Sequence, residues 1–353
     1  MSISIIMPTL DKERYLPFTL ASLRAQTYRD FQLVVVDDGG SGAVADLLRR
    51  HAPDVDVVYQ REPHRGRAAT RNAGLRRADG ELVVFLDDDR IVRPDFLAAH
   101  QRCLADSDDV AAIGWKRRAL TLWLRRRLSV VEADFTALLS AHGPAAAWLT
   151  TDEHQVIEPD ELAADPATAL SRIDLGDDLD NHGRVIDMFS DDLTGFWLGW
   201  TLGTTGNLAV HAAALRDIGG FDETFAGWGV EDVDLCYRLS SAGVRFRINR
   251  EAVNYHQLHP PGPGRVSVEL ARRRAEALAN AQRFCARHDT LETYLYWQVF
   301  SGTMSVLDAN LVLVELARAK VPAVEAELTR LYRQASGLAV GQVSAVPGAG
   351  RRE

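Results

Sequence analysis

The sequence predicts an α/β fold built around a largely parallel sheet, on three observations. Short, uninterrupted apolar runs alternate with stretches of helical periodicity over the first hundred residues. Two of those runs end abruptly in acidic clusters, Asp37-Asp38 and Asp87-Asp88-Asp89. After Pro261 the chain is helix-rich, over Val268 to His288 and Thr290 to Gln334. Strands alternating with helices imply βαβ units. Continuous apolar strands are those buried on both faces. Parallel strands point the same way, so both acidic clusters fall on one edge of the sheet, where open α/β sheets place ligands.

Each element follows from local pattern. Ser2 to Met7 reads as the first strand, broken at Pro8-Thr9, and Leu16, Leu20 and Leu23 give a helix from Leu16 to Gln26. Phe31 to Val36 is a second strand, followed by a helix from Val44 to His51 and a short strand at Val55 to Tyr59. Arg65 to Ala78 is helical in pattern, and its small residues let a helix lie close to a sheet. Leu82 to Leu86 is the strand that ends in Asp87-Asp88-Asp89. Three adjacent carboxylates repel one another and lose hydration unless a cation sits among them. Hard divalent cations want oxygen ligands of this kind, so Asp87 and Asp89 are expected to form an Asp-x-Asp metal site; an ordinary acidic turn is the competing reading.

Leu120 to Ala137 reads as an amphipathic helix with a basic stretch, and Asp152 to Asp192 as a long irregular insertion. Leu193 to Leu215 carries no formal charge, but its glycines and Thr/Asn cluster argue against a membrane span. Asn207 to Val210 is a short strand, and Ala212 to Ile218 a helix. Trp228-Gly229-Val230-Glu231-Asp232 opens a further helix. Glu231 and Asp232 either cap it and complement its dipole, or one of them is a general base. Val244 to Ile248 is a strand, and Ala252 to Tyr255 leads to His256 and His259.

Composition sets outer limits. The chain has 353 residues, 46% hydrophobic and 25% charged, as expected of a globular protein. A formal charge of −9 argues against nucleic-acid binding as the main activity. The 3 cysteines are far apart, which excludes a cysteine-rich zinc module and points to a reducing cytoplasmic setting. Ile3 to Met7 is too short for a signal-peptide core.

Taken in order, Pro8-Thr9, Asp37-Asp38-Gly39, Arg71-Asn72-Ala73-Gly74, Asp87-Asp88-Asp89, Gly219-Gly220-Phe221-Asp222-Glu223, Trp228-Gly229-Val230-Glu231-Asp232 and Tyr255-His256-Gln257 resemble the motifs of family 2 glycosyltransferases. The likeness is greatest to bacterial chondroitin-polymerase-like and polypeptide GalNAc-transferase-like enzymes. It implies the GT-A fold, a Rossmann-like nucleotide-binding sheet merged with an acceptor-binding subdomain, followed here by a helical C-terminal extension. The implied segments are a nucleotide-sugar-binding half at 1–115, an insertion at 116–192 serving as lid or acceptor region, and a catalytic half at 193–262. The helical extension at 263–335 and a disordered tail at 336–353 complete the chain.

The resemblance also implies roles. Pro8, Thr9, Asp37 and Asp38 would line the nucleoside pocket, and Arg71 and Asp88 would lie with the nucleotide. Asp89 would bind the metal, Mn²⁺ or Mg²⁺, with Asp87 facing ribose or metal. His256 would complete the ligands, with His259 the alternative. Asp232 would be the catalytic base of an inverting transfer, with Glu231 and Trp228 shaping the sugar sites. A UDP-sugar donor and a glycan, small-molecule or protein acceptor are expected, with peripheral membrane contact at most. The C-terminal helices would pack on the catalytic domain or form a homodimer.

Two departures fall near the nucleoside pocket: Leu10-Asp11-Lys12 replaces the family's frequent aromatic-Asn pair, and Gly40 lengthens the Asp-Asp-Gly turn. The Gln-x-x-Arg-Trp motif of processive membrane synthases is absent, which predicts one sugar per encounter. A nucleotidyltransferase or pyrophosphorylase would carry a glycine-rich basic loop after the first strand, and Pro8 to Arg14 holds no glycine. A non-catalytic nucleotide-sugar-binding protein would have lost a base or a ligand, yet Asp87, Asp89, Asp232 and His256 are all present.

Overall fold

A computed structural model describes residues 1–125, 128, 132–178, 182–259 and 266–337. Eleven strands lie among them: β1 Ile3–Thr9, β2 Phe31–Asp37, β3 Asp56–Arg61, β4 Leu82–Phe85, β5 Arg90–Val92, β6 Val110–Ala119, β7 Leu122–Leu124, β8 Glu153–Gln155, β9 Asp174–Asp177, β10 Leu208–His211 and β11 Arg245–Gln257. The helices are α1 Leu16–Arg24, α2 Val44–His51, α3 Arg67–Leu75, α4 Phe96–Leu104, α5 Glu132–His142, α6 Pro159–Ala164, α7 Pro166–Ile173, α8 His182–Phe189, α9 Ala212–Asp217, α10 Glu231–Ser241, α11 Val266–His288, α12 Leu291–Phe300, α13 Val306–Ala319 and α14 Pro322–Ala335.

Nine strands share one sheet in the order β3-β2-β1-β4-β10-β6-β11-β5, with β9 joined to β6. The first four are parallel: Thr9 sits opposite Asp37, and Ile6 opposite both Val34 and Phe85. That register sets the two acidic clusters side by side on one edge, as the pattern predicts. β10 then enters antiparallel between β4 and β6, so the sheet is mixed rather than wholly parallel. A four-residue strand starting from a turn can be inserted this way without a crossover helix.

Side-chain alternation divides the core. Ile6, Val34, Val36, Val83 and Phe85 face one layer, with α9, α10 and the C-terminal helices. Ile5, Met7, Leu33, Val35 and Val84 face the other, covered by α1, α2 and α4. α3 lies close enough to the sheet that a Cβ on Gly74 would stand 2.6 Å from Ile6, which explains the run of small residues there. α11 to α13 contribute Ala281, Phe284, Cys285, Tyr294, Leu295 and Leu313 to the first layer, so the helical extension packs on the sheet-bearing body.

Two stretches differ from expectation. Leu120 to Ala137 is not one helix: Leu122–Leu124 pairs with β8 as a small second sheet, and the helix begins at Glu132. Residues 126, 127 and 129–131 lie outside the description. Buried Trp123, whose Nε1 donates to the Thr151 carbonyl at 3.0 Å, holds the strand; a tertiary partner overrides local helical periodicity. Asp152 to Asp192 is not irregular, because it folds as β8, α6, α7, β9 and α8. Asp165 caps α7 by accepting from the Thr168 N–H at 3.2 Å, and Pro159 and Pro166 sit at helix starts, where proline is favourable. Acidic caps and N-terminal prolines gave the segment its loop-like composition. The tail expected at 336–353 falls, beyond Gly337, outside the described residues. Among the described residues no helix is long and apolar enough to cross a membrane, and the uncharged Leu193 to Leu215 stretch is a 3-10 turn at Gly199–Leu202, then β10 and the start of α9. All three cysteines are free thiols.

Candidate active site

The ends of β1, β2 and β4 form one side of the site. Pro8 pairs with Val36 at the close of β1. Asp38 donates its N–H to the Thr9 carbonyl at 2.9 Å. Asp37 is fully buried; its carboxylate accepts from the Gly40 N–H at 2.7 Å and the Tyr59 hydroxyl at 3.1 Å. Asp38 accepts from the Arg65 N–H at 2.7 Å and the Gly66 N–H at 3.1 Å, with His64 Nδ1 2.9 Å away. These two carboxylates therefore hold the loops after β2 and β3 together on this side. Gly66, at φ +89°, makes the turn into α3 that aims its N–H at Asp38.

The second side is made where β11 passes β5. His256 sits opposite Arg90, and the Gln257 N–H donates to the Asp89 carbonyl at 3.0 Å. This pairing brings a histidine pair 170 residues downstream onto the acidic cluster. His259 Nε2 lies 2.9 Å from Asp89 Oδ2, and His256 Nε2 3.8 Å from Asp89 Oδ1. The ligand atoms of Asp89, His256 and His259 all fall within 4.8 Å of one another. Burial and the nearby Arg90 push the His256 imidazole down to about 3, so it is neutral. Burial would raise the Asp89 carboxyl, yet the charge of Lys12 and the hydrogen bond from His259 hold it well below the usual carboxylate range. A carboxylate and neutral imidazoles are the forms that bind metals. Three convergent donors therefore fit a divalent cation. Asp88, by contrast, points inward: its carbonyl accepts from Thr19 Oγ1 at 2.9 Å, and burial beside Asp89 raises its carboxyl to about 8.

Lys12 was not among the expected site residues. Its Nζ stands 2.7 Å from Asp89 Oδ2 and 2.6 Å from His259 Nε2, inside the ligand cluster. The signal available was position alone: it is the first cation after the β1 edge.

A buried arginine joins the end of β4 to the start of α10. Arg71, 4% exposed, reaches from α3 to Asp87 Oδ1 through Nη2 and to Glu231 Oε1 through Nη1, each at 3.0 Å. Its guanidinium also lies 5.8 Å from the Phe221 ring centre. Asp232 follows Glu231 at the start of α10 and is half-buried. Burial and the adjacent Glu231 raise its carboxyl to about 6, against the opposing pull of Arg71. Lys116, whose Nζ donates to Thr204 Oγ1 at 2.6 Å, also acts on Asp232 and was likewise not foreseen. Trp228 is 38% exposed, with Arg67 and Arg273 guanidiniums 5.4 and 5.7 Å from its ring. The expected residues thus gather into three adjoining groups: loop carboxylates, a carboxylate–histidine cluster, and a carboxylate–arginine bridge leading to Asp232.

Residues 4–144 match glycosyl transferase family 2, and residues 193–259 match the N-terminal domain of galactosyltransferase. The chain is 26% identical over 323 residues to an uncharacterized glycosyltransferase, YfnE, of Bacillus subtilis (strain 168), covering 90% of this chain and 78% of that protein. It is 30% identical over 266 residues to a chondroitin synthase of Escherichia coli, covering 74% of this chain and 35% of the synthase. Among solved structures, a mannosyltransferase from Pyrobaculum calidifontis in complex with GDP-Man and Mn²⁺ aligns over 95% of this chain and 83% of that one, at 18% identity and a TM-score of 0.49. With the motif order and the sheet, the match over residues 4–144 shows that the chain carries a glycosyltransferase family 2 domain and is an enzyme.

Proposed function

We propose that the protein moves a sugar from a nucleotide-sugar, a UDP-sugar first, to an acceptor hydroxyl with inversion at the anomeric carbon, and that it depends on a divalent cation. The observation that carries this reading is the convergence of Asp89, His256 and His259 beside the Asp37/Asp38 edge, with Asp232 reached through Arg71. In this reading Pro8, Thr9 and Asp38 take the nucleoside, Asp37 shapes their loop, and Asp87 with the backbone of Asp88 takes the ribose and phosphate side. Trp228 offers a flat apolar face to a sugar ring. Asp232 accepts the proton of the acceptor hydroxyl as that oxygen attacks the anomeric carbon, with Glu231 held by Arg71 beside it. Asp89, His256 and His259 would hold the cation, which when bound supplies charge neutralisation to the departing diphosphate. Two imidazoles in the donor set suit Mn²⁺ better than Mg²⁺, which prefers oxygen ligands throughout. The segments at 1–115 and 193–262 would act as donor and acceptor sides, with 116–192 over the acceptor.

Calorimetric titration with UDP, GDP and dTDP, each with Mn²⁺, Mg²⁺ or EDTA, tests the reading. Tight binding of UDP with Mn²⁺, weakened at least tenfold by EDTA, is expected. Equal binding in EDTA overturns cation dependence, and no binding of any nucleotide overturns the transferase reading. Asp89→Asn is expected to abolish the Mn²⁺ enhancement, with His256→Ala and His259→Ala each weakening it.

Lys12 yields a separate expectation. Its ammonium occupies the space among the ligands, and a cation arriving there must displace it against like-charge repulsion. Lys12→Met is therefore expected to tighten Mn²⁺ binding about tenfold, read by titration of the free ion's electron-spin signal. Unchanged or weaker binding would show that Lys12 does not compete.

A further inference from the structure

The segment that carries Glu231 and Asp232 is held in an unfavourable shape by a helix from outside the two family-matched regions. Three of the four residues preceding α10 have positive φ: Gly227 at +77°, Gly229 at +88° and Val230 at +74°. A β-branched residue in the left-handed region is an outlier, and such residues persist only where their surroundings over-determine them. Val230 is 4% exposed and is the N-cap of α10, so its strain lies one residue from Glu231 and two from Asp232.

The surroundings come from α11. Asn280 is 4% exposed, and its Nδ2 donates to the carbonyls of Ala226 and Gly229, each at 2.9 Å. The two bonds span the turn like a staple. A Cβ on Gly227 would stand 2.8 Å from Glu276 Cδ, and one on Gly229 3.4 Å from Ala277 Cβ, so α11 lies directly against the turn's backbone. Arg273 on the same face of α11 covers one side of Trp228. The end of α11 is tied to α10 as well: His288 Nε2 lies 2.7 Å from Asp234 Oδ1, and the Tyr237 hydroxyl 2.9 Å from Thr290 Oγ1. Arg287 pairs with Asp222, upstream of the turn.

We infer that Asn280 is a positioning residue for the transfer reaction, fixing the Ala226–Val230 turn and thereby the place of Asp232, so that α11 belongs to the catalytic machinery. This rests on Asp232 being the base. The physical reason lies in the two carbonyls. Each carbonyl flanks a left-handed residue and accepts from the same buried amide. The planar amide of Asn280 meets both at once, whereas a water or a shorter side chain meets neither in a fixed direction. A base misplaced by about 1 Å loses on the order of a hundredfold in rate.

The experiment compares Asn280→Ala with Leu104→Ala, a buried position at the end of α4 in the opposite layer of the core. Hydrogen exchange of the unliganded protein, followed by mass spectrometry, reads the turn without any substrate. Asn280→Ala is expected to speed exchange across 226–233 at least tenfold while β2 is unchanged, and Leu104→Ala to leave 226–233 as in the parent. Unchanged exchange in Asn280→Ala overturns the inference. Turnover with Mn²⁺ and UDP-glucose, UDP-galactose or their N-acetyl forms, with water as acceptor, reads the consequence. Asn280→Ala is expected to lower kcat at least tenfold, with the donor KM within threefold and the acidic limb of the rate shifted to lower pH as Asp232 becomes hydrated. A fall in kcat of the same size in Leu104→Ala, or faster exchange without loss of kcat, overturns the positioning role. If the parent turns over none of these donors, the transferase reading is what fails, and exchange alone decides whether Asn280 holds the turn.

Discussion

Asp232→Asn is expected to lower kcat about a thousandfold while nucleotide binding stays within threefold. General-base catalysis contributes roughly 10²- to 10⁴-fold, and an amide of the same shape cannot accept the proton. Nucleotide binding should survive because Asp232 belongs to α10, whereas the loop carboxylates and the histidine cluster lie at the ends of β1, β2, β4 and β11. The pH dependence gives the same residue a second signature. Burial and Glu231 raise the Asp232 carboxyl to about 6. A carboxyl raised in this way is protonated below that value and cannot act as base there. kcat/KM should therefore be full above about pH 7 and fall tenfold per unit as pH drops below about 6. In Asp232→Asn the residual rate should lose this limb. A variant that keeps parental turnover, or keeps the limb, would move the base elsewhere, with Glu231 the next candidate. Glu231 is the weaker choice, because its carboxylate is engaged by Arg71 at 3.0 Å.

Much of this site can be read from the chain, and what cannot has a physical reason. Continuous apolar strands announce a buried sheet, and parallel pairing then forces Asp37-Asp38 and Asp87-Asp89 to one edge without any long-range knowledge. The meeting of Asp89 with His256 is different. It depends on β11 running antiparallel to the three-residue β5, which no local pattern reveals. The same holds for Arg71. Its position on α3 was legible, but a lone arginine reads as a solvated cation, and only the packed structure shows it buried between two carboxylates. Asn280 was invisible for a related reason, and Lys12 stood out only by its place after β1: both act on backbone or side chains far away in sequence. The 116–192 segment misled in the other direction. Its prolines and acids look like loop composition, yet they start and cap helices there.

Arg71→Leu is expected to destabilise the protein by about 3–5 kcal/mol, the range found when one partner of a buried ion pair is removed. The substitution leaves Asp87 and Glu231 without the cation between them, and Glu231 is only 5% exposed. Water cannot easily replace the two hydrogen bonds, so the cost is that of an uncompensated buried charge rather than of a lost surface pair. For a chain of this size that corresponds to a melting temperature lower by about 4–7 °C. Arg71→Lys should cost less, because an ammonium can keep one carboxylate but cannot span both as the planar guanidinium does. The two variants also separate stability from catalysis. Asp87 comes from the end of β4 and Glu231 from the start of α10, so Arg71 sets the spacing between the donor side and the Asp232 side. Arg71→Lys should therefore lose at least tenfold in kcat even at temperatures where it is fully folded. Thermal melts alongside turnover on folded protein check both outcomes. A folded Arg71→Lys with parental kcat would confine Arg71 to stability, and Arg71→Leu with a parental melting temperature would show that the triad is solvated.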